Sequence, residues 1–335
     1  PFTIATEIAA LLVAADLADA ASNVTAADYL PETADAWNAS IERWLYCSGT
    51  ELAHRHGVDG YYVRSAVPDR ADAASPCHGF VPIKNRPPDQ AVGQAALMVS
   101  LDALAFVRFG LRAADDPRIV NTLKVVDATL KVDTPRGPAW HRYQGDGYGE
   151  HADGAPFDGT GVGRAWPLLT GERAHYEVAA GRKDVAKQLA HAMEALAGES
   201  HLLPEQVWDS ADIPDRGLFI GHPSGSAMPL VWAHAEYIKL CRSLLDGEIF
   251  DRPPQTVQRY LEEKVTSGHI IWRFNNKVRA MPAGRTLRVE TRAPAIVRWS
   301  VNDWRTVQDT PTHDTTLGVH VADLQTLDLR IGDRV

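Results

Sequence analysis

Residues 161–197 read GVGRAWPLLTGERAHYEVAAGRKDVAKQLAHAMEALA. The pattern predicts a helix over 161–180, a stop at Gly181, and a second, Ala-rich amphipathic helix over 183–197. A helix, a one-glycine stop and another helix make a hairpin. Working outward, the same period predicts an apolar helix from Pro1 to about residue 21, carrying Ile4, Ile8, Leu11, Leu12 and Ala15. Further helices are expected over 25–47 (Trp37, Ile41, Trp44, Leu45) and 89–109. Two more are expected, one from Asp116-Pro117 through Leu130 and one over 226–245.

The connections alternate in length. Those at 22–24, 111–115 and 181 are short, whereas those at 48–88, 131–160 and 198–225 are long. Loops longer than about 12–15 residues are usually functional or disordered. If successive helices run antiparallel, all three long loops gather at one face. A barrel of hairpins has this property, and so do a plain bundle and a solenoid. Beyond Asp251-Arg252-Pro253 the period drops to two. Leu287, Val289 and Thr291, then Val297, Trp299 and Val301, then Leu327, Leu329 and Ile331 alternate between turn signals. The expectation is residues 1–250 as a helical unit and 251–335 as a small β-sandwich, with the seam within 251–268.

Composition narrows the function. The 335 residues are 45% hydrophobic and 23% charged, with 34 basic and 43 acidic groups. These values exclude a disordered, collagen-like or coiled-coil chain. A net charge of −9 argues against a nucleic acid partner. No apolar run reaches the roughly 18 residues of a membrane span. Cys47, Cys77 and Cys241 are too few for a disulfide framework and read as small buried hydrophobes. The histidines (His54, His56, His78, His141, His151, His175, His191) have no metal-ligand spacing, and no GxSxG elbow occurs.

Three segments carry chemistry. His141-Arg142-Tyr143-Gln144-Gly145-Asp146-Gly147-Tyr148 sets an Arg and an Asp among aromatics. Such a loop suits a polyol, whose hydroxyls take charge-assisted hydrogen bonds. It equally suits a surface loop held by a local Arg–Asp pair. Gly159-Thr-Gly-Val-Gly163 before a helix lacks both the preceding strand and the spacing of a phosphate loop. Glu172 and Arg173, within that helix, read as a buried polar network bracing it. Pro204-Glu205-Gln206-Val207-Trp208-Asp209 offers Glu205 either as a general base or as a loop carboxylate in water.

Together, Gly-x-Gly-Arg-x-Trp-Pro-Leu-Leu-Thr-Gly-Glu-Arg-x-His-Tyr-Glu (161–177), Arg-Tyr-x-x-Asp-Gly-Tyr-Gly (142–149) and Pro-Glu-Gln-Val-Trp-Asp (204–209) resemble bacterial glucoamylases and glucodextranases, family 15 of the glycoside hydrolases. The resemblance covers nearly all of residues 1–250. The tail, with Trp299-Ser-Val-Asn-Asp-Trp304, is similar to the β-domain appended to many bacterial members.

The resemblance implies a mainly α fold, a six-hairpin (α/α)6 barrel of which these are the last seven of twelve helices, followed by the β-sandwich. It implies an inverting, exo-acting glycosidase that releases glucose from α-glucan oligosaccharides or polysaccharides, by α-1,4 or, as in glucodextranases, α-1,6 cleavage. Glu205 matches the general base. Arg142 matches the arginine that holds the terminal glucose, with Asp146 nearby and Tyr143, Tyr148, Trp166 and Trp208 as further substrate-binding candidates. No cofactor or metal is implied. The family's general acid sits in a Trp-Glu-Glu motif just before the helix that opens here. Chain and family together therefore lead us to expect the acid upstream of Pro1, and a fragment or processed chain whose ring is completed by an upstream segment or another chain. Polymer-degrading members are often exported, which implies a secreted or periplasmic protein, with a cytoplasmic location left open. A decayed barrel that only binds carbohydrate is the rival reading.

Overall fold

A computed structural model describes residues 1–65, 67 and 76–335; part of the first long connection, 66 and 68–75, lies outside the described residues. The helices are α1 (Phe2–Ala20), α2 (Val24–Asn38), α3 (Ile41–Leu45), α4 (Glu51–Arg55), α5 (Ala105–Arg108), α6 (Pro117–Leu130), α7 (Pro167–Ala179), α8 (Lys183–Leu196), α9 (Val231–Asp246) and α10 (Pro254–Thr256), the last running into a π-helical stretch over Val257–Glu262. Among the described residues, short strands lie between helices: β1 (Tyr46–Ser48), β2 (Gly60–Tyr62), β3 (Phe80–Pro82), β4 (Val92–Gln94), β5 (Lys131–Thr134) and β6 (Gly137–Trp140). Six more follow: β7 (His269–Trp272), β8 (Thr286–Thr291), β9 (Ile296–Trp299), β10 (Gln308–Pro311), β11 (His313–Asp314) and β12 (His320–Leu324). Among the described residues no helix is long and apolar enough to cross a membrane.

The expected hairpins α1–α2 and α7–α8 are present, and α9 packs on both members of the second. One core joins Ile8 and Leu12 of α1 to Phe106, Ile119, Val126, Leu168, Met193 and Leu240. Four helix boundaries differ from the sequence expectation. The second helix stops at Asn38, because Ser40 Oγ turns back to donate to Ala36 O (2.8 Å) and residues 46–48 pair with 60–62 instead. Cross-strand Tyr46–Tyr62 packing, with ring centroids 5.2 Å apart, outweighs helical propensity there. The third helix is cut to its last turns. Residues 92–94 pair with 80–82, and Gly93 lies so close to Ile83 and Met98 that a Cβ would come within 2.9 Å of both side chains. The fifth begins at Pro167, since the preceding backbone is held by Trp140 and Asp209, and the seventh begins at Val231.

In the C-terminal part, β11-β12-β8-β7 form a four-stranded sheet with β7 parallel to β8, and β9–β10 form a two-stranded one. Trp299, Ala322 and Leu324 share a small core with Leu287 and Val289. The alternation at 327–331 is not a strand. Thr326 donates to Arg285 O (2.8 Å) and accepts from Leu287 N (2.9 Å), and the chain beyond is exposed. Trp299 is buried in this β core, whereas Trp304 projects into solvent at 64% exposure. Buried Arg288 of β8 ties the sheet to α2 through Glu32 (2.7 Å) and also bonds Asp323 (2.7 Å), while Arg259 and Tyr260 of the π-helical stretch hold Asp35 of α2.

The expected polar bracing of α7 is present. Arg173 bonds Asp127 and Glu177, and burial together with the charges of Glu236 and Asp102 pushes the Glu172 carboxyl up. Arg108 at the end of α5 forks to Glu236 (2.8 Å) and Asp251 (2.9 Å), and His175 meets Glu236 at 2.7 Å. Burial alone would raise the Asp251 carboxyl, but Arg108 and Lys239 overcome it and hold the group at about 2. A carboxyl depressed from an unfolded value of about 3.9 stabilises the fold above that pH and loses the contribution as pH falls toward 2. Asp251→Asn is therefore expected to cost roughly 2 kcal/mol at pH 7 and close to nothing at pH 2, measured by urea unfolding across that range.

Candidate active site

The three long connections meet at one end of the helices, where single backbone bridges zip them edge to edge. Tyr143 bridges to Ser100, Trp140 to Trp166, Ala165 to Val207, and Val207 to Pro223. Two glycines of the Gly-x-Gly-x-Gly run make this approach feasible. A Cβ at Gly161 would lie 2.0 Å from Gly149 O, and one at Gly163 would lie 2.6 Å from Asp146 Cβ. Close packing accounts for Gly161 and Gly163, and a φ of +113° for Gly159.

Beneath the loops lies Arg164, 2% exposed. Its guanidinium donates to Asp209 Oδ1 (2.8 Å), Ser210 Oγ (2.9 Å), Glu150 O (2.8 Å) and His151 O (2.8 Å), and stacks 4.0 Å from the Trp208 ring centroid. Asp209 also accepts from Ala165 N (3.0 Å) and meets His141 Nε2 at 3.0 Å. Burial works against the Asp209 charge, but the His141 and Arg164 contacts keep its carboxyl below the ordinary value. Neither Arg164 nor Asp209 stood out as a site residue in the sequence reading, although both lie in the quoted motifs.

Above this layer runs a chain of four polar side chains. Asp146, with 1% of its side chain exposed, takes a two-pronged ion pair from Arg142, Nε to Oδ2 at 2.6 Å and Nη2 to Oδ1 at 2.9 Å. The same Oδ1 accepts the Tyr148 backbone N–H (3.1 Å). The Tyr148 hydroxyl donates to Glu205 Oε2 (3.1 Å), and Glu205 N is fixed on Ala227 O (2.8 Å). Burial and then the Glu205 charge push the Tyr148 phenol up, so at neutral pH it stays a donor. For Arg142, burial is outweighed by the Asp146 bonds, which raise the guanidinium further. It lies 5.0 Å from the ring centroids of both Tyr148 and Trp166, and a third of its side chain reaches solvent. Glu205 and Tyr148 line a cleft of about 660 Å³ with Glu150, Phe157, Gln206 and Arg216.

The structure thus brings Arg142, Asp146, Tyr148 and Glu205 together. The other aromatics stand behind them. Tyr143 is buried under Arg64 (4.2 Å), and Trp166 is 3% exposed. Trp208 does not offer its ring to the cleft, because it is sealed under Arg164 and donates Nε1–H to Ala211 O (2.8 Å). Arg86, from the turn between β3 and β4, donates to Gly145 O (2.8 Å) and Asp146 O (3.1 Å) and so holds the Arg142 loop from outside. Sequence reading had no signal for Arg86.

The family profile "Glycosyl hydrolases family 15" matches residues 1–242. The chain belongs to that family. A curated glucoamylase of Clostridium sp. (strain G0005) is 41% identical over 263 residues, which is 78% of this chain and 34% of the relative. The crystal structure of a bacterial glucoamylase complexed with acarbose superposes with a TM-score of 0.69 at 40% identity, over 78% of this chain and 36% of that one. The chain therefore spans about a third of the length of each.

Replacing Arg164 by Met would strand the Asp209 carboxylate in the interior with His141. Removing one partner of a buried pair typically costs about 3–5 kcal/mol. A loss of that size in urea unfolding is expected for Arg164→Met, and a change below about 1 kcal/mol would contradict the role given to the pair.

Proposed function

We propose that this family 15 chain carries the general-base half of an inverting, exo-acting α-glucosidase that releases glucose from the non-reducing ends of α-glucans. The observation that carries the reading is the continuous polar chain Arg142–Asp146–Tyr148–Glu205, whose last two members line the cleft. Arg142, oriented by Asp146, is the group for hydroxyls of the terminal glucose. Glu205 takes a proton from the attacking water, and Tyr148 steadies the carboxylate from the side. Tyr143, Trp166 and Trp208 support these groups from the second layer.

Inversion requires a partner acid about 6.5–9.5 Å from the base, leaving room for water between them. We assign that acid to a polypeptide segment outside this sequence, which would also complete the (α/α)6 ring. In this reading 1–250 is the C-terminal part of the barrel and 251–335 is a β-sandwich unit. Support comes from family membership and from the 41% identical glucoamylase. The acarbose bound to the solved relative suggests an oligosaccharide ligand here too.

The test uses Glu205→Gln. Loss of a general base typically lowers turnover by about 10²–10⁴. Hydrolysis of maltotetraose by the chain combined with the acid-bearing segment should fall by that factor, with oligosaccharide affinity by calorimetry held within about threefold. Undiminished turnover would remove Glu205 from the role. Wild-type rates on maltose against isomaltose assign the linkage.

A further inference from the structure

Cys47 and Cys77 are 30 positions apart, yet three links of backbone and side chain bring them together. Cys47 sits in β1 directly opposite Tyr61 of β2. The Tyr61 hydroxyl donates to Ala96 O (2.7 Å), and the neighbouring Ala95 N donates to Gly79 O (3.0 Å), two residues beyond Cys77. Cys77 packs against the apolar cluster that contains Cys47, and its side chain is a near neighbour of the Cys47 thiol. Cys47 is 0% exposed and Cys77 is partly exposed.

We propose that Cys47 and Cys77 form a disulfide that locks the base of the β3–β4 hairpin, and through it the Arg142 loop, to the helical core. Cys77 lies three residues before β3, and the turn of that hairpin carries Arg86, whose guanidinium holds Gly145 O and Asp146 O. Asn85 O meets Gly161 N at 3.3 Å from the same turn. A bond at Cys77 would therefore anchor the hairpin at its base while Arg86 anchors its tip. The co-reactant is a small-molecule disulfide. The thiolate of partly exposed Cys77 attacks one of its sulfurs and releases one thiolate. The Cys47 thiolate then attacks the Cys77 sulfur and releases the second. Two protein thiols are oxidised, one external disulfide is reduced to two thiols, and the two protons pass to the released thiolates. Burial pushes the Cys47 thiol up, so the second step is the slow one, and the finished bond is shielded from reductant.

The experiment treats the folded protein, in a Cys241→Ser background that removes the exposed third thiol, with oxidised glutathione at mildly alkaline pH. The expected product is about 2 Da lighter, gives a Cys47–Cys77 linked peptide in a non-reducing map, and unfolds about 5 °C higher, with dithiothreitol reversing the shift. Cys77→Ser should show neither change. Cys47→Val, which keeps the core filled, should stop at a glutathione adduct on Cys77. A wild-type chain that itself stops at that adduct overturns the proposal, and so does a linked chain whose midpoint fails to rise.

Discussion

Arg164 holds its guanidinium almost out of reach of water while bonding to two separate pieces of chain: Asp209 and Ser210, with the Trp208 face beside them, in one loop, and the Glu150 and His151 carbonyls in another. A buried cation is tolerated only where its donors are matched. The two loops must therefore arrive in register with Arg164, and Asp209 must carry its charge. That requirement fixes where Val207 bridges Ala165, and hence where Glu205 leaves the bridge and faces the cleft. Arg164 carries a cost as well: its Nε finds no partner among the described residues.

The layer above obeys the same logic with less burial. Asp146 is nearly sealed, whereas Arg142 and Glu205 reach toward solvent. Electrostatic organisation of this kind is set before a ligand arrives, so that little reorganisation is left for the moment of reaction. Under the proposed function, Tyr148 is the link that makes sugar holding and water activation one structure, because it takes Asp146 on its backbone and gives its hydroxyl to Glu205. The short β-bridges explain why loops of such length can be rigid enough for this work.

Much of this was legible in the residues. Apolar spacing in 1–21 and 183–197 placed α1 and α8 within a residue or two of their ends, since no competing partner exists for those backbones. The loop asymmetry placed the site face. What failed were boundaries decided by distant contacts. Nothing local in 92–94 says that Phe80–Pro82 will pair with it, and nothing in Leu327, Leu329 and Ile331 says that Thr326 will end the sheet. The Arg142–Asp146 pair was readable because its spacing is short; for Glu205 the residues offered two readings, and the fold adds its position beside Tyr148 on the cleft. Arg86 was not, since it reaches the Arg142 loop across about 60 residues of chain through backbone carbonyls that carry no sequence signature. Trp208 was misplaced for a related reason. An indole beside a candidate base reads as a sugar platform until the stacked Arg164 claims its face.

The central claim is that Glu205 serves an inverting displacement on an α-glucoside, and the configuration of the first product tests it most directly. Maltotetraose hydrolysis by the chain together with the proposed acid-bearing segment, followed by proton NMR from the first turnovers, should show β-glucose appearing ahead of the mutarotated mixture. Initial α-glucose would contradict the account, because it would require a covalent intermediate and a second carboxylate about 5–5.5 Å away acting as its nucleophile.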